Sequence, residues 1–413
     1  MQPFGVLFLQ SQAFLGADST LHAQLMQHLD RSAVEVHVAL TTEPLANPAI
    51  SAAHAIGAIP NLAVRPTYFG PSIHGAGHLE RLRRGGAVLR LGLSLVGLAA
   101  YIRRHRIRVI HCTEKPRDAF YGVLLGKLTG ARTVIHMHVA YGDWMSRGSK
   151  WALGQADTIV AISDFVADSL VQAGYRRERI AVVPNALDLS RWDPDTDGRP
   201  VRRELGIALD APVVGIISRL FRWKGHEYLV EAMASVTREL PDARLVIVGE
   251  DDPRAAWETG GSFSGKLKEQ AARLDIAQNV LFTGFRTDVP QLMAAFDVFA
   301  HPSWEEPFGM VFLEAMAMRR PVVAWASGGA PEVVESGATG LLVPREAVGD
   351  LAAALVRLLR DPGLRQRMGA AGRQRVESLF TAERMAQRML DVYRGALGAS
   401  RHLAAVRPQT ARA

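Results

Sequence analysis

Short unbroken apolar runs recur along the chain, separated by longer stretches in which apolar residues return every three or four positions. The runs predict strands buried on both faces, and the stretches predict helices packed over them. In the first half, strands are expected at 6–9, 34–40, 109–111, 133–138, 158–162 and 180–183. Helices are expected at 21–30, 90–104, 120–128 and 150–155, and at 164–173 behind the cap Ser163. Residues 41–84 are rich in Pro, Gly and His, and they predict only mixed loops with one short helix. The polar segment DLSRWDPDTDGRP (188–200) reads as a linker. Its alternating Asp193, Asp195 and Asp197 suit local turn hydrogen bonds better than a metal ion.

The pattern then restarts. Strands are expected at 213–217, 245–248, 280–282, 298–300, 322–324 and 341–343. Helices are expected at 226–239, 266–274, 289–295 and 310–318, from Pro331, and at 350–359, 364–378 and 382–397, before a loose basic tail. Such alternation predicts an α/β protein with parallel sheets covered on both faces. The division expected is 1–190, 191–381, and a closing helix with its tail over 382–413. Ligands of doubly wound sheets bind outside the carboxyl ends of the strands, and a cleft between two such units is the natural site.

Composition narrows this. The chain of 413 residues is 48% hydrophobic, enough for two or three cores. Its single cysteine, Cys112, excludes an intramolecular disulfide and a cysteine-rich metal site. The start, MQPFGVLFLQ, lacks a basic flank and reads as a first strand, not a signal peptide. Net charge is +7, and residues 1–190 carry 19 Lys and Arg against 13 Asp and Glu. An anionic partner follows. The chain has no aromatic-interleaved basic run and no zinc-finger spacing, so lipid or a phosphorylated substrate fits better than nucleic acid. The apolar stretch 85–102 contains Arg90 and lies between RLRR and RRHRIR. It reads either as a domain helix with basic ends or as a helix resting on an anionic membrane surface.

The candidate chemistry sits just past predicted strand ends in the second half. Arg219 and Lys224 follow one strand, and both suit phosphate oxygens. Ser327-Gly328-Gly329 follows another, where bare backbone would let a ligand approach. After 298–300 come Glu306 and then Gly309, where a helix starts with free N–H groups that attract anions. The helix MVFLEAMAM is apolar on every face and should be buried, yet Glu314 lies in its middle. A buried carboxylate needs a partner, from the protein or from a ligand. Taken singly, each cation and carboxylate could be an ordinary surface or salt-bridged residue. Their convergence on one strand-end face suits a nucleoside diphosphate sugar.

The segments EPFGMVFLEAMA, PVVAWASGGAPEVV, GLLVP, FTGF, LVIVGE, SRLFRWKG and VVPNALDL occur in order across nearly the whole chain. Together they resemble glycosyltransferase family 4, retaining enzymes of the two-domain GT-B type. The resemblance implies two Rossmann-like domains facing across a cleft, an acceptor domain followed by a donor domain, with the C-terminal helix crossing back to the first. It implies that Arg219 and Lys224 bind the donor diphosphate, Glu306 the transferred sugar and Glu314 the ribose hydroxyls. The backbone at Phe308, Gly309, Met310 and Val311 would meet sugar and phosphates. Phe285 would mark the base site, Gly16 would line the phosphates, and His138, ahead of His136, would reach the reacting centre. Two departures stand out: Leu15-Gly16-Ala17-Asp18 replaces a double glycine, and Asn185-Ala186 replaces Asn-Gly.

The implied reaction is hexosyl transfer from a UDP- or GDP-sugar to a glycan or lipid-linked acceptor, in cell-envelope or exopolysaccharide synthesis. Cations and a helix start would stabilise the leaving diphosphate, so no metal or other cofactor is expected. No carboxylate nucleophile stands out for a double displacement, and the family resemblance implies front-face attack, with the leaving phosphate taking the acceptor proton. The expected setting is cytoplasmic, with peripheral contact at the inner face of the membrane. Within the same fold, a sugar phosphorylase, a nucleotide-sugar epimerase or a non-catalytic binding module are the alternatives. A nicotinamide oxidoreductase would need GxGxxG after the first strand, where only Gly16 occurs.

Overall fold

A computed structural model describes residues 2–45, 47, 51–70, 80–252 and 261–398. The chain divides into two compact units, Met1–Asn185 with Ala382–Ala413, and Ala186–Thr381.

The first unit holds seven strands: β1 (Phe4–Gln10), β2 (Val34–Thr41), β3 (Ala63–Thr67), β4 (Ile107–Thr113), β5 (Arg132–Met137), β6 (Thr158–Ala161) and β7 (Ile180–Val182). All pair in parallel, in the order β3-β2-β1-β4-β5-β6-β7. Val6, Leu7, Phe8 and Leu9 are fully buried, as a strand covered on both faces requires. β3 lies in the stretch expected to hold only loops. It is an edge strand, largely exposed and containing Pro66, so it carries no apolar run. The helix expected from 90 begins earlier and spans Glu80–Arg104. Leu98, Ala99 and Ile102 of this helix are buried, whereas Val88, Leu89, Leu93 and Val96 are exposed. Its part Gly86–Arg104 is long and apolar enough to cross a membrane by length and composition, with 17% of that window buried. The helix Ala382–Ala396 belongs to this unit, and the Tyr393 hydroxyl meets His111 Nδ1 at 2.9 Å.

The second unit holds β8 (Val213–Ile217), β9 (Arg244–Val248), β10 (Val280–Gly284), β11 (Val298–His301), β12 (Val322–Trp325) and β13 (Gly340–Val343). They form a parallel sheet in the order β10-β9-β8-β11-β12-β13. Segment 188–200 is ordered into a short turn of 3-10 helix, Leu189–Arg191, and the start of the helix Arg199–Glu204. Asp193 accepts from the Asp195 N–H and Asp197 from the Arg199 N–H, so these aspartates shape turns. Arg202 then locks the sheet's lower end. Its guanidinium donates to the carbonyls of Ala295, Leu209 and Ala211 and pairs with Asp297 at 2.9 Å, while Asp297 also accepts from the Val213 N–H.

Each sheet reverses its winding once, between β1 and β4 and between β8 and β11. At such a switch point the loops leave in opposite directions and open a crevice above the carboxyl ends.

Candidate active site

The crevice at β8 and β11 gathers the expected donor residues. The loop after β8 ends in the turn Arg222–Lys224, directly before the helix His226–Glu239. The loop after β11 carries Glu306. Lys224 Nζ lies 2.6 Å from Glu306 Oε2, and the two side chains are only 16% and 14% exposed. His301 Nε2 approaches the same oxygen at 3.3 Å. Burial alone would raise the Glu306 carboxyl, but the Lys224 charge and the His301 hydrogen bond outweigh it and bring it down to about 2. Glu306 is therefore ionised and fixed. The Lys224 ammonium also lies 4.0 Å from the centre of the Trp223 ring.

The loops are tied to one another through backbone groups. Trp304 N donates to Trp223 O, and Ser327 Oγ donates to Trp304 O at 2.7 Å. Gly329 N donates to Glu306 O at 2.7 Å. The Ser327-Gly328-Gly329 turn was expected to admit a ligand, and this is corrected. A Cβ on Gly328 would lie 2.5 Å from Glu306 O, and one on Gly329 would lie 2.6 Å from Pro307 O. The glycines make room for the protein's own Glu306 loop.

Gly309 adopts φ 92° and opens the helix Met310–Ala317, with no side-chain cap. A Cβ there would meet the Phe312 ring at 2.3 Å. The expectation that this helix is buried on every face also needs correction. Phe312, Leu313, Ala315, Met316 and Ala317 are buried, but Met310, Val311 and Glu314 share one partly open face. Glu314 has no side-chain hydrogen bond or ion pair among the described residues. Burial holds its carboxyl up at about 7, against an opposing pull from Arg191. The side chain of Phe308 is core, packed edge-on to Phe380, so only its backbone is available to a ligand.

Arg219 follows β8, with its guanidinium 73% exposed. Its Nη1 is held 3.0 Å from Oδ2 of Asp252, which is 2% exposed. Sequence reasoning missed Asp252, because nothing in its local pattern separates it from the acidic loop around it. Phe285 stands apart: it follows the edge strand β10, separated from β8 by β9, and is 68% exposed.

In the first unit, Gly16 precedes the helix Ala17–His28 without a side-chain cap, and its φ of −91° is open to any residue. His138 lies one residue past β5. Its N–H donates to Glu114 Oε2 at 3.3 Å, and its Nε2 lies 3.3 Å from His22 Nε2. Burial pushes His138 well below the ordinary histidine range and raises Glu114 to about 7. Glu114, just past β4, is a second residue not singled out from sequence, although an acid directly after an apolar strand was the signal. His22 and His111 were also missed.

The patterns of two families match this chain: "Glycosyltransferase Family 4" over residues 20–191 and "Glycosyl transferases group 1" over 199–375. A GDP-mannose-dependent monoacylated alpha-(1-6)-phosphatidylinositol monomannoside mannosyltransferase of Corynebacterium glutamicum is 35% identical over 284 residues, 64% of this chain and 71% of that protein. The chain belongs to glycosyltransferase family 4. This transferase is also 34% identical, over 264 residues, to an alpha-maltose-1-phosphate synthase of Mycolicibacterium smegmatis, covering 61% of this chain and 66% of that one. Its fold matches the crystal structure of Anabaena HepE in complex with UDP with a TM-score of 0.76, at 23% identity, covering 96% of this chain and all of that one. The transferase therefore has the GT-B fold, as its sequence predicted.

Proposed function

We propose that this transferase moves a hexose, with retention, from a UDP- or GDP-sugar to a hydroxyl of a glycan or lipid-linked acceptor. The observation that carries the proposal is the buried Lys224–Glu306 pair at the β8/β11 switch point, beside an uncapped helix start and an unpartnered Glu314. Arg219, Lys224 and the N–H groups at Gly309 would take the diphosphate. These groups provide positive potential where leaving-group charge develops, so the transfer needs no divalent ion at that position. Glu306, ionised and fixed, would accept hydroxyl protons of the sugar. Glu314 would accept the ribose hydroxyls that replace its absent protein partner. Phe285 would stack on the base. Front-face attack fits a site in which Glu306 and Glu314 are both assigned to binding hydroxyls, with the leaving phosphate taking the acceptor proton.

The mannosyltransferase relatives named for GDP-mannose and phosphatidylinositol mannosides support a sugar nucleotide donor and a lipid-linked acceptor. The exposed Val88, Leu89, Leu93 and Val96 support peripheral contact with a membrane, which we place at the cytoplasmic face of an anionic bilayer as part of the proposal. Arg90 on the same helix and the buried Leu98 and Ile102 favour lying on the surface over crossing it. Incubation with a panel of UDP- and GDP-sugars, scored for slow hydrolysis, tests the reading and identifies the donor. If none is hydrolysed and none binds in calorimetry, the proposal fails.

A further inference from the structure

A cluster of histidines lies in the first unit, and apart from His138 it has no part in the transfer chemistry above. His22 comes from the helix Ala17–His28, His111 from β4 and His136 from β5, and they are 1%, 0% and 1% exposed. One ring nitrogen of each lies within 4.8 Å of the other two. His22 Nε2 lies 3.2 Å from His111 Nε2 and 3.3 Å from His138 Nε2. A ring nitrogen has one in-plane position, holding either a proton or a lone pair. His22 Nε2 therefore cannot make two well-aligned hydrogen bonds at once. Nitrogens arranged tetrahedrally around zinc, at about 2.0–2.1 Å from it, stand roughly 3.3 Å apart; His22 Nε2 and His111 Nε2 are already at 3.2 Å, and a His136 nitrogen lies within 4.8 Å of the other two ligands.

Three further observations point to a ligand. Both nitrogens of His136 and Nδ1 of His22 are buried without a hydrogen-bond partner among the described residues. The outer nitrogen of His111 is held by the Tyr393 hydroxyl, which turns Nε2 inward, as an outer partner does for a metal-bound imidazole. Burial keeps His22, His111 and His136 below the ordinary histidine range, in the neutral form a metal requires.

We propose that His22, His111 and His136 hold a divalent transition-metal ion, zinc by their all-nitrogen donor set, with the fourth position open beside His138. The ion would fasten the helix that starts at Gly16 to β4 and β5. It would not replace the cations proposed for the donor diphosphate, and the inference rests on the first unit alone. It departs from the metal-free expectation because the three ligands come from widely separated segments.

The test uses the untagged full chain, stripped with chelator, dialysed against zinc and freed of excess, with metal counted by mass spectrometry. About one equivalent per chain is expected, with a raised melting midpoint, and cobalt(II) loading should give the visible bands of a tetrahedral nitrogen site. His22→Asn and His136→Asn, checked for fold by circular dichroism, should lose uptake more than tenfold, and Tyr393→Phe should weaken affinity about 10–100-fold. Uptake below a tenth of an equivalent by the wild type overturns the proposal. So does undiminished uptake by a folded histidine variant. If both histidine variants fail to fold, unchanged zinc affinity in Tyr393→Phe overturns it instead.

Discussion

Lys224→Met would remove an ammonium and keep a side chain of similar length. It leaves Glu306, only 14% exposed, without its main counter-charge. In the wild type the Glu306 carboxyl is lowered from an ordinary 4.5 to about 2, the net of burial pushing up and Lys224 with His301 pulling down. A lowering of that size corresponds to about 3 kcal/mol. Because the pair is largely shielded from water, little of this is lost to screening. The folded value lies below the unfolded one, so the contribution is fully present above pH 4.5 and is lost as pH falls through 2. The variant should therefore be about 3 kcal/mol less stable at pH 7, roughly 6–12 °C in melting midpoint for a unit of this size. The gap should close between pH 4.5 and 2. Thermal and urea unfolding from pH 2.5 to 7 measures both quantities, and Lys224→Met/Glu306→Gln should recover most of the stability but no transfer. A gap that stays constant across the range would refute the electrostatic account, because a packing loss does not titrate with Glu306.

Glu306→Ala should lower transfer by at least about 10²–10³-fold in a product assay while circular dichroism stays unchanged; full activity would sink the assignment. Nucleotide affinity by calorimetry should weaken by up to about tenfold for each pH step below 7, as the raised Glu314 carboxyl gains a proton, and Glu314→Gln should flatten that profile. Arg202→Ala removes three carbonyl hydrogen bonds and the nearer of two arginine partners of the half-buried Asp297, leaving Arg365 at 3.7 Å, and should cost about 1–3 kcal/mol in urea denaturation, without changing activity per folded molecule. The chain should float with anionic vesicles at low salt but not with neutral ones, and Val88→Glu/Leu93→Glu should abolish flotation; failure of the wild type to float removes the membrane reading.

The strands of both cores were legible because a strand buried on both faces must be apolar along its whole length, and β1, β8 and β12 are. β3 was not, because an edge strand has one open side and its residues answer to solvent. The open face of the helix Met310–Ala317 was hidden for a different reason. Met310 and Val311 are apolar wherever they point, so only tertiary packing shows that they face outward. The Lys224–Glu306 contact and the histidine cluster are consequences of strand order: β8 lies beside β11, and β1, β4 and β5 are neighbours, which no local pattern encodes.

The two glutamates of the E-x7-E pair show how much of a role is set this way. From sequence they are the same group at a fixed spacing. In the fold one faces a lysine and a histidine and falls to about 2, while the other faces no hydrogen-bonding partner among the described residues and rises to about 7. When environments drive paired carboxylates apart in this manner, their functions separate as well. Glu306 is already satisfied and rigid, suited to orienting a sugar whose charge changes during transfer. Glu314 has no protein hydrogen-bond partner among the described residues, and the proposed ribose diol would supply donors only when the sugar nucleotide is bound. Under the proposed assignment, part of the donor's affinity would come from meeting that demand at Glu314, so donor binding, and not the Glu306 interaction, should follow pH near neutrality.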